Sequence, residues 1–323
     1  MHLLLDRLEH PERRYAAIHV VGTNGKSTAT RTIAALLQAE GRRAGAYTSP
    51  HVSGWSERIW IDGSEADFER AVARIRPDAE AIGVTQFEAL TAAALVEFAE
   101  QGIDVAVVEA GLGGRLDATN VVDAEVVLLT NVSLEHTEVL GETPEQIAEE
   151  KLAVAHAARI VVLPDNRHAN LLPKSANFVT GGAREAAEAF LGHPIDRDFT
   201  ATLPGRLERR GRELWDGAHN PAGTAWLRAH ITDTYEVVVA SLLRDKDANA
   251  MLADLAQLAP AIIATQSANP RALAAADLAA HAKRHFRQVD TEPDPGRALA
   301  HARESTRGGI LVTGSLYLLA DLS

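Results

Sequence analysis

Short apolar segments and helix-like segments alternate along almost the whole chain, and this alternation restricts the folds that are open to it. The apolar segments are rich in Val, Ile, Leu and Ala and are bounded by Gly, Asn, Asp or Pro, as buried parallel strands are. The candidate strands are 18–21, 44–47, 104–109, 126–130 and 160–163, followed by a second series at 237–240, 261–265 and 309–313. This order predicts an α/β architecture with parallel-rich sheets and helices on both faces.

A weakly patterned stretch divides the two series of strands and indicates two domains. Residues 164–203 contain several turn-forming sequences and little apolar periodicity. The length of 323 residues is also that of two ordinary domains. We place the boundary within 196–206 and predict a first domain over 1–200 and a second over 201–323.

Composition and charge exclude several classes of protein. The formal net charge is −12, so the chain should repel nucleic-acid phosphates. It contains no cysteine, which excludes disulfides, thiolate metal sites and a cysteine nucleophile. No apolar run reaches the roughly 20 residues that span a bilayer, and acidic residues interrupt the first ten positions, unlike a signal peptide. We expect a cytoplasmic monomer with no nucleic-acid or membrane partner.

The sequence VVGTNGKST at 20–28 lies between a predicted strand and a predicted helix. Gly22 and Gly25 allow the backbone N–H groups to turn towards an anion, and the helix N-terminus adds positive potential. Lys26 would neutralise phosphate oxygens, and a hydroxyl of Ser27 or Thr28 could contact a magnesium ion. This motif predicts nucleotide binding, with a purely structural turn as the alternative.

Polar residues also follow other predicted strands. Ser49 lies in TSPH (48–51), which could equally be a simple Ser-Pro turn. Glu109 ends an apolar strand, where a carboxylate is costly unless it is paired or binds a metal. The glycine-rich loop at 111–117 comes next and includes Arg115 and Asp117. Because carboxyl ends of parallel strands meet at one edge of a sheet, these residues predict a ligand site there.

His136 and Lys151 belong to the next polar segment. An imidazole at the end of a strand can be a metal ligand or a hydrogen-bonded core histidine. Lys151 follows two glutamates, so a solvated helix-surface lysine is one interpretation. Only five of the 32 Lys and Arg residues are lysines, however, and an amine can do chemistry that a guanidinium does not. The second domain contains further polar motifs that are candidates for a ligand site: LPGRLE (203–208), WDGAHNP (215–221), LLRDKD (242–247) and TGSLYLL (313–319).

Taken together, these motifs resemble those of the folylpolyglutamate synthase/dihydrofolate synthase family, a branch of the Mur ligases. The motifs GTNGK, TSPH, TxFE, LGGRLDATN, HTxxLG, PGR, DGAHNP, DKD and VTGSLYLL occur in the family's order between about 18 and 319. The resemblance implies a Mur-ligase-like P-loop ATP-binding domain and a C-terminal Rossmann-like glutamate-ligase domain. It also implies an ADP-forming amide ligase that adds L-glutamate to a pteroate or folate carboxylate through an acyl phosphate.

The resemblance further implies a role for individual residues. ATP would contact the loop of Gly22, Thr23, Asn24, Gly25, Lys26, Ser27 and Thr28, together with Arg206 and Asp216. Two Mg²⁺ sites would involve Ser27, Ser49, Glu109, His136 and a carbamylated Lys151. The acceptor or glutamate would contact Thr85, Gln86, Phe87, Glu88, Arg115, Leu116, Asp117 and Ser315. Lys26, Lys151 and His219 would be the catalytic residues.

The sequence departs from the family pattern in several places, and the short N-terminal segment concerns the acceptor side. The loop reads GKST rather than GKGST, Glu135 stands where Asp is usual, and only residues 1–17 precede the first predicted strand. The segment between Lys151 and Arg206 is also shorter than in the family. Two alternatives therefore stay open at this point: a Mur-type ligase for a non-folate carboxylate, and a non-catalytic nucleotide-binding paralogue.

Overall fold

The computed structural model describes residues 1–197 and 199–323. It divides into two compact units, one formed by Met1–Pro50 with Trp55–Ala201 and the other by His51–Gly54 with Thr202–Ser323. No helix in the described parts of the chain is long and apolar enough to cross a membrane.

The first unit is built around a mixed sheet. Its helices are α1 (His2–Arg7), α2 (Lys26–Ala39), α3 (Phe68–Ile82), α4 (Gln86–Gln101), α5 (Thr137–Leu140), α6 (Pro144–Leu152) and α7 (Ala183–Leu191). Its strands are β1 (Ala16–Val21), β2 (Ala44–Tyr47), β3 (Ile59–Ile61), β4 (Ser64–Glu65), β5 (Val105–Glu109), β6 (Val126–Leu129), β7 (Ile160–Leu163) and β8 (Asn177–Thr180). The strand order is β4-β3-β2-β5-β1-β6-β7-β8.

The central strand β1 shows why the sheet is buried on both faces. It pairs in parallel with β5 and with β6. Ala17 and Val21 pack into the core on one face, and Ile18 and Val20 pack into the core on the other. A strand with apolar side chains on both faces needs helices on both, which the alternating sequence supplies. The ends of β1, β5 and β6 consequently lie side by side.

The second unit contains another mixed sheet. Its strands are β9 (Glu208–Arg210), β10 (Glu213–Trp215), β11 (Val237–Ala240), β12 (Ala261–Ala264), β13 (Gln288–Thr291) and β14 (Ile310–Thr313). Its helices are α8 (Pro221–His230), α9 (Ala248–Leu255), α10 (Ala275–Ala282), α11 (Pro295–Ser305) and α12 (Leu316–Leu322). The strand order is β13-β12-β11-β14-β10-β9, with only the β9–β10 pair antiparallel among the pairs described. The predicted α/β fold with parallel-rich sheets is confirmed.

The structure contains strand β13, which the sequence analysis does not predict, and differs from the sequence-based expectation in two places of the first unit. The stretch 164–203 is not simply a connection, because it contains β8, an edge strand that pairs with β7, and α7, which packs against the first sheet. The first sheet also has an antiparallel edge formed by β3 and β4. These two strands span only three and two residues, too few to show a period in the sequence.

Candidate active site

Three neighbouring strands of the first unit bring the predicted nucleotide and metal residues to one edge of the sheet. The glycine-rich loop 22–25 follows β1, Glu109 is the last residue of β5, and Thr130 follows β6. Residues after β6 hold the loop: Thr130 Oγ1 donates to the carbonyl oxygen of Asn24 at 2.7 Å, and Asn131 Nδ2 donates to it at 2.9 Å. These contacts hold the loop against the segment that follows β6.

The nucleotide loop has the geometry that its glycines predict. Gly22 has φ +146°, and a Cβ at this position would lie 2.0 Å from Thr130 Oγ1, so only glycine fits. Lys26 begins α2 and folds back, donating from Nζ to the carbonyl oxygens of Gly22 at 3.1 Å and Thr23 at 3.3 Å. Its positive charge therefore lies over the loop, where it can meet phosphate oxygens.

Glu109 is a buried carboxylate with both oxygens engaged. Its side chain is only 2% exposed. Oε1 accepts a hydrogen bond from Ser27 Oγ at 3.1 Å, and Oε2 accepts one from the backbone N–H of Ser49 at 3.0 Å. Three of the five predicted metal ligands, from β5, α2 and the segment after β2, are therefore joined around one carboxylate.

Lys151 is buried, which rules out a solvated surface lysine. It is 2% exposed, and its Nζ donates to the carbonyl oxygen of Gly22 at 2.9 Å and to Glu135 Oε1 at 3.0 Å. Burial lowers the pKa of the Lys151 ammonium and Lys26 lowers it further, whereas Glu135 acts in the opposite direction. Burial by itself would raise the pKa of Glu135, but the two ammonium groups outweigh it and keep that pKa below its usual range.

His136 follows Glu135 directly and stands at the N-terminal end of α5. Its backbone is left-handed, with φ 45°, which is uncommon for a residue with a side chain. Its Nδ1 lies 3.9 Å from Glu138 Oε1. Among the described residues, no three His, Asp or Glu side chains are close enough to hold a metal ion unaided. The predicted metal role of His136 stays a prediction.

The loop 111–117 packs tightly against the helix that contains Lys151. A Cβ on Gly114 would lie 2.5 Å from the carbonyl oxygen of Lys151 and 2.7 Å from that of Glu150, so glycine is required there. Arg115 Nε donates to Glu150 Oε2 at 3.1 Å. The Asp117 carboxylate accepts from the N–H groups of Leu112 at 2.8 Å and Thr119 at 2.9 Å, which fixes the shape of the loop.

Thr85 and Glu88, predicted on the acceptor side, form a reciprocal capping box at the start of α4. Glu88 Oε2 accepts from the Thr85 N–H at 2.9 Å, and Glu88 Oε1 lies 2.6 Å from the amino group of Met1. Gln86 is the first residue of α4, and the ring of Phe87 lies 6.2 Å from that of Tyr47. Leu116 is 93% exposed on the glycine-rich loop. The ligand role of these residues stays a prediction.

The predicted residues of the second unit lie around the ends of β10 and β14. Asp216 is buried and accepts from the N–H groups of Leu207 at 3.0 Å and Ala218 at 2.9 Å, and burial raises its pKa. Arg206 donates from Nη1 to the carbonyl oxygen of Gly205 at 3.1 Å. His219 Nδ1 lies 2.8 Å from the carbonyl oxygen of Gly217. Ser315, at the N-terminus of α12, accepts from the Tyr317 N–H at 3.1 Å.

Sequence reasoning missed the residues that support the nucleotide loop and Lys151. Asn131 Oδ1 accepts from the backbone N–H of Asn24, the backbone N–H of Ser133 donates to Thr23 Oγ1, and Glu135 pairs with Lys151. The sequence carries a signal for Asn131 and Glu135, because both are polar residues soon after the buried strand β6, which is next to β1. The sequence pattern indicates a role in this segment for His136 alone.

Two family models match the chain. The Mur ligase middle domain matches residues 20–198, and the Mur ligase glutamate ligase domain matches residues 205–316. The first of these alone extends over more than half of the 323 residues.

Individual relatives match over nearly the full length. The dihydrofolate synthase/folylpolyglutamate synthase of Mycobacterium tuberculosis is 30% identical over 97% of this chain and 86% of its own length. A crystal structure of the M. tuberculosis folylpolyglutamate synthase with ADP and AMPPCP has a TM-score of 0.90 at 31% identity, covering 99% of this chain and 93% of that one. The bifunctional enzyme of Yersinia pestis with AMPPNP and a Mn ion has a TM-score of 0.84 at 27% identity, covering 99% and 90%. This chain belongs to the folylpolyglutamate synthase/dihydrofolate synthase family of Mur ligases.

Proposed function

We propose that this protein is an ATP-dependent, ADP-forming ligase that joins L-glutamate to the carboxylate of a pteroate or folate derivative. The observation that carries the proposal is the Glu109 carboxylate, held by Ser27 and Ser49 beside the loop of Lys26. A nucleotide-binding turn alone is compatible with many different protein functions. A turn joined to a buried carboxylate, in a member of this ligase family, favours metal-assisted phosphoryl transfer.

The residues present fit a divalent cation. Mg²⁺ takes oxygen ligands and is commonly bound by one or two carboxylates together with substrate phosphates. Glu109 provides the carboxylate, Ser27 provides a hydroxyl group next to it, and the backbone N–H of Ser49 holds its other oxygen. His136 and a carbamate on Lys151 would complete the ligands of two such ions. When bound, Mg²⁺ neutralises phosphate charge and aligns the γ-phosphoryl group for transfer.

Lys26 and the loop supply the first part of the reaction. Lys26 Nζ and the N–H groups of residues 22–25 would bind the β- and γ-phosphates of ATP. An oxygen of the acceptor carboxylate attacks the γ-phosphorus, the bond to the β-phosphate oxygen breaks, and ADP leaves. The product is an acyl phosphate on the acceptor. Holding the two anions in line near fixed positive charge is the main contribution of the protein to this step.

His219 is suited to the second part. A carbonyl oxygen only accepts hydrogen bonds, so the contact with Gly217 places a proton on Nδ1 of His219. In the neutral form of the ring, Nε2 is then the basic nitrogen. We propose that Nε2 accepts a proton from the amine of glutamate as that amine attacks the acyl carbon and inorganic phosphate leaves. Arg206 and Asp216 would contact the nucleotide, and Ser315 would contact glutamate.

Carbamylation of Lys151 belongs to the same proposal. Two cations near ATP need more anionic oxygen than Glu109 provides, and a carbamate on Lys151 would supply it. Its burial and lowered pKa favour the neutral amine that reacts with carbon dioxide. Arg does not form a carbamate, because its guanidinium stays protonated.

An ADP-release assay with a panel of acceptors tests the function. ATP and Mg²⁺ are supplied with L-glutamate and either dihydropteroate, tetrahydrofolate or its one-carbon forms. The proposal predicts ADP release that requires both glutamate and one of these acceptors. Glutamate-dependent turnover with none of them, but with another carboxylic acid, would assign the chain to a different acceptor.

A further inference from the structure

His19 is a fully buried polar residue that takes no part in the proposed phosphoryl transfer or glutamate ligation. It lies within β1, three residues before Gly22 and the nucleotide loop. On the same face of this strand, Ala17 and Val21 pack into the apolar core. A polar side chain between them is costly unless it is hydrogen-bonded. The partner of the imidazole therefore indicates what its polarity does.

The imidazole begins a line of two hydrogen bonds that ends on a carboxylate. His19 Nε2 lies 2.8 Å from Thr119 Oγ1, and Thr119 Oγ1 lies 2.5 Å from Asp117 Oδ1. An ionised carboxylate only accepts hydrogen bonds, so the single hydroxyl proton of Thr119 points to Asp117. The hydroxyl oxygen then accepts from His19, which places the imidazole proton on Nε2. We call these three side chains the relay.

The protonation state of His19 agrees with this direction. Burial lowers the pKa of the imidazole to about 4, although Asp117 acts in the opposite direction, so the ring is neutral at pH 7. Its Nδ1 is buried and has no partner among the described residues. A proton on Nδ1 would leave a buried N–H without an acceptor, which is costly. The neutral tautomer with its proton on Nε2 is therefore the donor to Thr119.

Asp117 is the residue through which the relay reaches the glycine-rich loop. Its Oδ2 accepts from the N–H of Leu112 at 2.8 Å, at the other end of the loop. Its Oδ1 accepts from Thr119 twice, from the N–H at 2.9 Å and from the hydroxyl. With three donors in fixed positions, the carboxylate cannot turn without breaking hydrogen bonds. The relay therefore sets the orientation of the carboxylate that closes the loop.

The closed loop carries residues that we expect to contact the acceptor. The N–H of Arg115 donates to the carbonyl oxygen of Glu150 at 3.1 Å, which ties the middle of the loop to α6. Leu116 lies between this tie and Asp117 and is 93% exposed. The nucleotide loop is held separately, by the residues that follow β6. A displaced Asp117 would therefore shift Arg115 and Leu116 before it affected the nucleotide loop.

We propose that His19 and Thr119 are positioning residues for the acceptor and act on the loop 111–117 through Asp117. The imidazole donates to the hydroxyl, the hydroxyl donates to the carboxylate, and the carboxylate holds the loop in the shape that binds the acceptor. Their role in acceptor binding rests on the proposed function, whereas the hydrogen bonds of the relay do not.

Two variants separate this role from a general effect on stability. Thr119→Val keeps the volume of the side chain but leaves the buried N–H of His19 without an acceptor, so it should also lower the unfolding free energy. The double variant with His19→Leu removes both polar groups and should regain much of that stability. It should nevertheless keep an acceptor KM at least about tenfold above that of the parent, with kcat and the KM of ATP within about threefold.

Conservative variants should restore the acceptor KM. Thr119→Ser retains the hydroxyl, and His19→Gln retains a donor at the position of Nε2, so both should stay within about threefold of the parent. Thr265→Val is the matched control, because it removes another buried hydroxyl, which donates to the carbonyl oxygen of Pro293 at 3.1 Å in the second unit. It should leave the acceptor KM unchanged. Steady-state kinetics with varied acceptor and varied ATP measure both constants.

Amide hydrogen exchange gives a readout that does not need turnover. In the double variant, peptides covering 111–119 should exchange faster than in the parent, and in Thr119→Ser they should exchange as in the parent. The proposal is overturned if the loop of the double variant exchanges as in the parent, or if the KM of ATP rises as much as that of the acceptor. A parent protein without folate-dependent turnover would overturn the proposed function, and the exchange rates would still decide whether the relay holds the loop.

Discussion

Lys151 Nζ lies 3.0 Å from Glu135 Oε1, and the two side chains form a buried ion pair next to the nucleotide loop. The same Nζ contacts the carbonyl oxygen of Gly22, so one amine joins α6, the segment after β6 and the loop after β1. A carbamate would replace this cation by an anion. Glu135 would then face a like charge, and a metal cation would have to compensate both. The ion pair is therefore the state that we expect before the metal binds.

The first prediction concerns Lys151. Lys151→Arg and Lys151→Ala should both lose glutamate-dependent ADP release, because neither side chain can become a carbamate. Acetate or formate should partly restore the Ala variant by placing a carboxylate in the space that is opened. Lys174→Arg, which changes an exposed lysine of the same unit, should retain full activity. An active Arg variant, together with no carbamate signal by ¹³C NMR in labelled bicarbonate with Mg²⁺ and nucleotide, would contradict the proposal.

The second prediction concerns Glu109. Glu109→Gln should keep the fold, because the amide oxygen can still accept from the Ser49 N–H, and the Ser27 hydroxyl can accept from the amide N–H. It should lower Mg²⁺-dependent ADP release at least about 100-fold, since the anionic ligand is lost. Steady-state kinetics over a Mg²⁺ titration measure the effect. Glu97→Gln is the control, a buried carboxylate outside the site. Parent-like turnover of the Glu109 variant would show that this carboxylate is structural only.

The third prediction concerns the close approach at Gly114. Gly114→Ala would place a methyl group against the carbonyl oxygens of Glu150 and Lys151, which are backbone atoms and do not move easily. We expect the unfolding free energy to fall by about 1–3 kcal/mol, and turnover to fall with it because Lys151 is displaced. Gly54→Ala is the control, as no atom lies within 4 Å of a Cβ there. Denaturant unfolding measures the difference, and equal stability of both variants would refute the predicted contact.

The fourth prediction concerns the pH dependence of stability. His19 is fully buried, and burial lowers its pKa to about 4. In the unfolded chain, the pKa of a histidine is about 6.5. At a pH between these two pKa values, the unfolded state therefore binds more protons than the folded state. The unfolding free energy should therefore fall as the pH decreases from about 6.5 to about 4, by up to about 3 kcal/mol.

A substitution isolates this effect. His19→Gln can retain a hydrogen bond to Thr119 Oγ1, which lies 2.8 Å from His19 Nε2, because the amide of Gln reaches the position of Nε2, but it has no proton to gain. Its stability should vary less with pH over this range than that of the parent. The exposed His193→Gln should leave the parent's profile unchanged. Denaturant unfolding at several pH values measures the profiles, and an identical slope in the His19 variant would contradict the prediction.

Much of the fold followed from the sequence because the main strands are long enough to show their pattern. β5, β6, β11 and β14 were predicted to within one or two residues. The antiparallel edge β3–β4 was not predicted, since strands of three and two residues carry no usable period. Helix α7 was not predicted, because turn-forming residues surround it in the sequence. Its alanines nevertheless pack against the first sheet.

The site was predictable where its residues follow strands, and less so where partners come from distant segments. The sequence suggested that Glu109 needed a partner, but not that Ser27 and the Ser49 N–H would provide it. It also left open whether Lys151 was exposed. That depended on the packing of α6 against the loop after β1, which no local pattern reveals.

The transfer of a labelled oxygen tests the central claim most directly. Dihydropteroate, or another accepted folate, is labelled with ¹⁸O in its carboxylate and supplied with ATP, Mg²⁺ and L-glutamate. If glutamate ligation proceeds through an acyl phosphate, one labelled oxygen must leave with the inorganic phosphate, and the organic product must gain one glutamyl residue. Mass spectrometry of both products reads the outcome. Unlabelled phosphate, or ADP formed without a glutamylated product, would contradict the account.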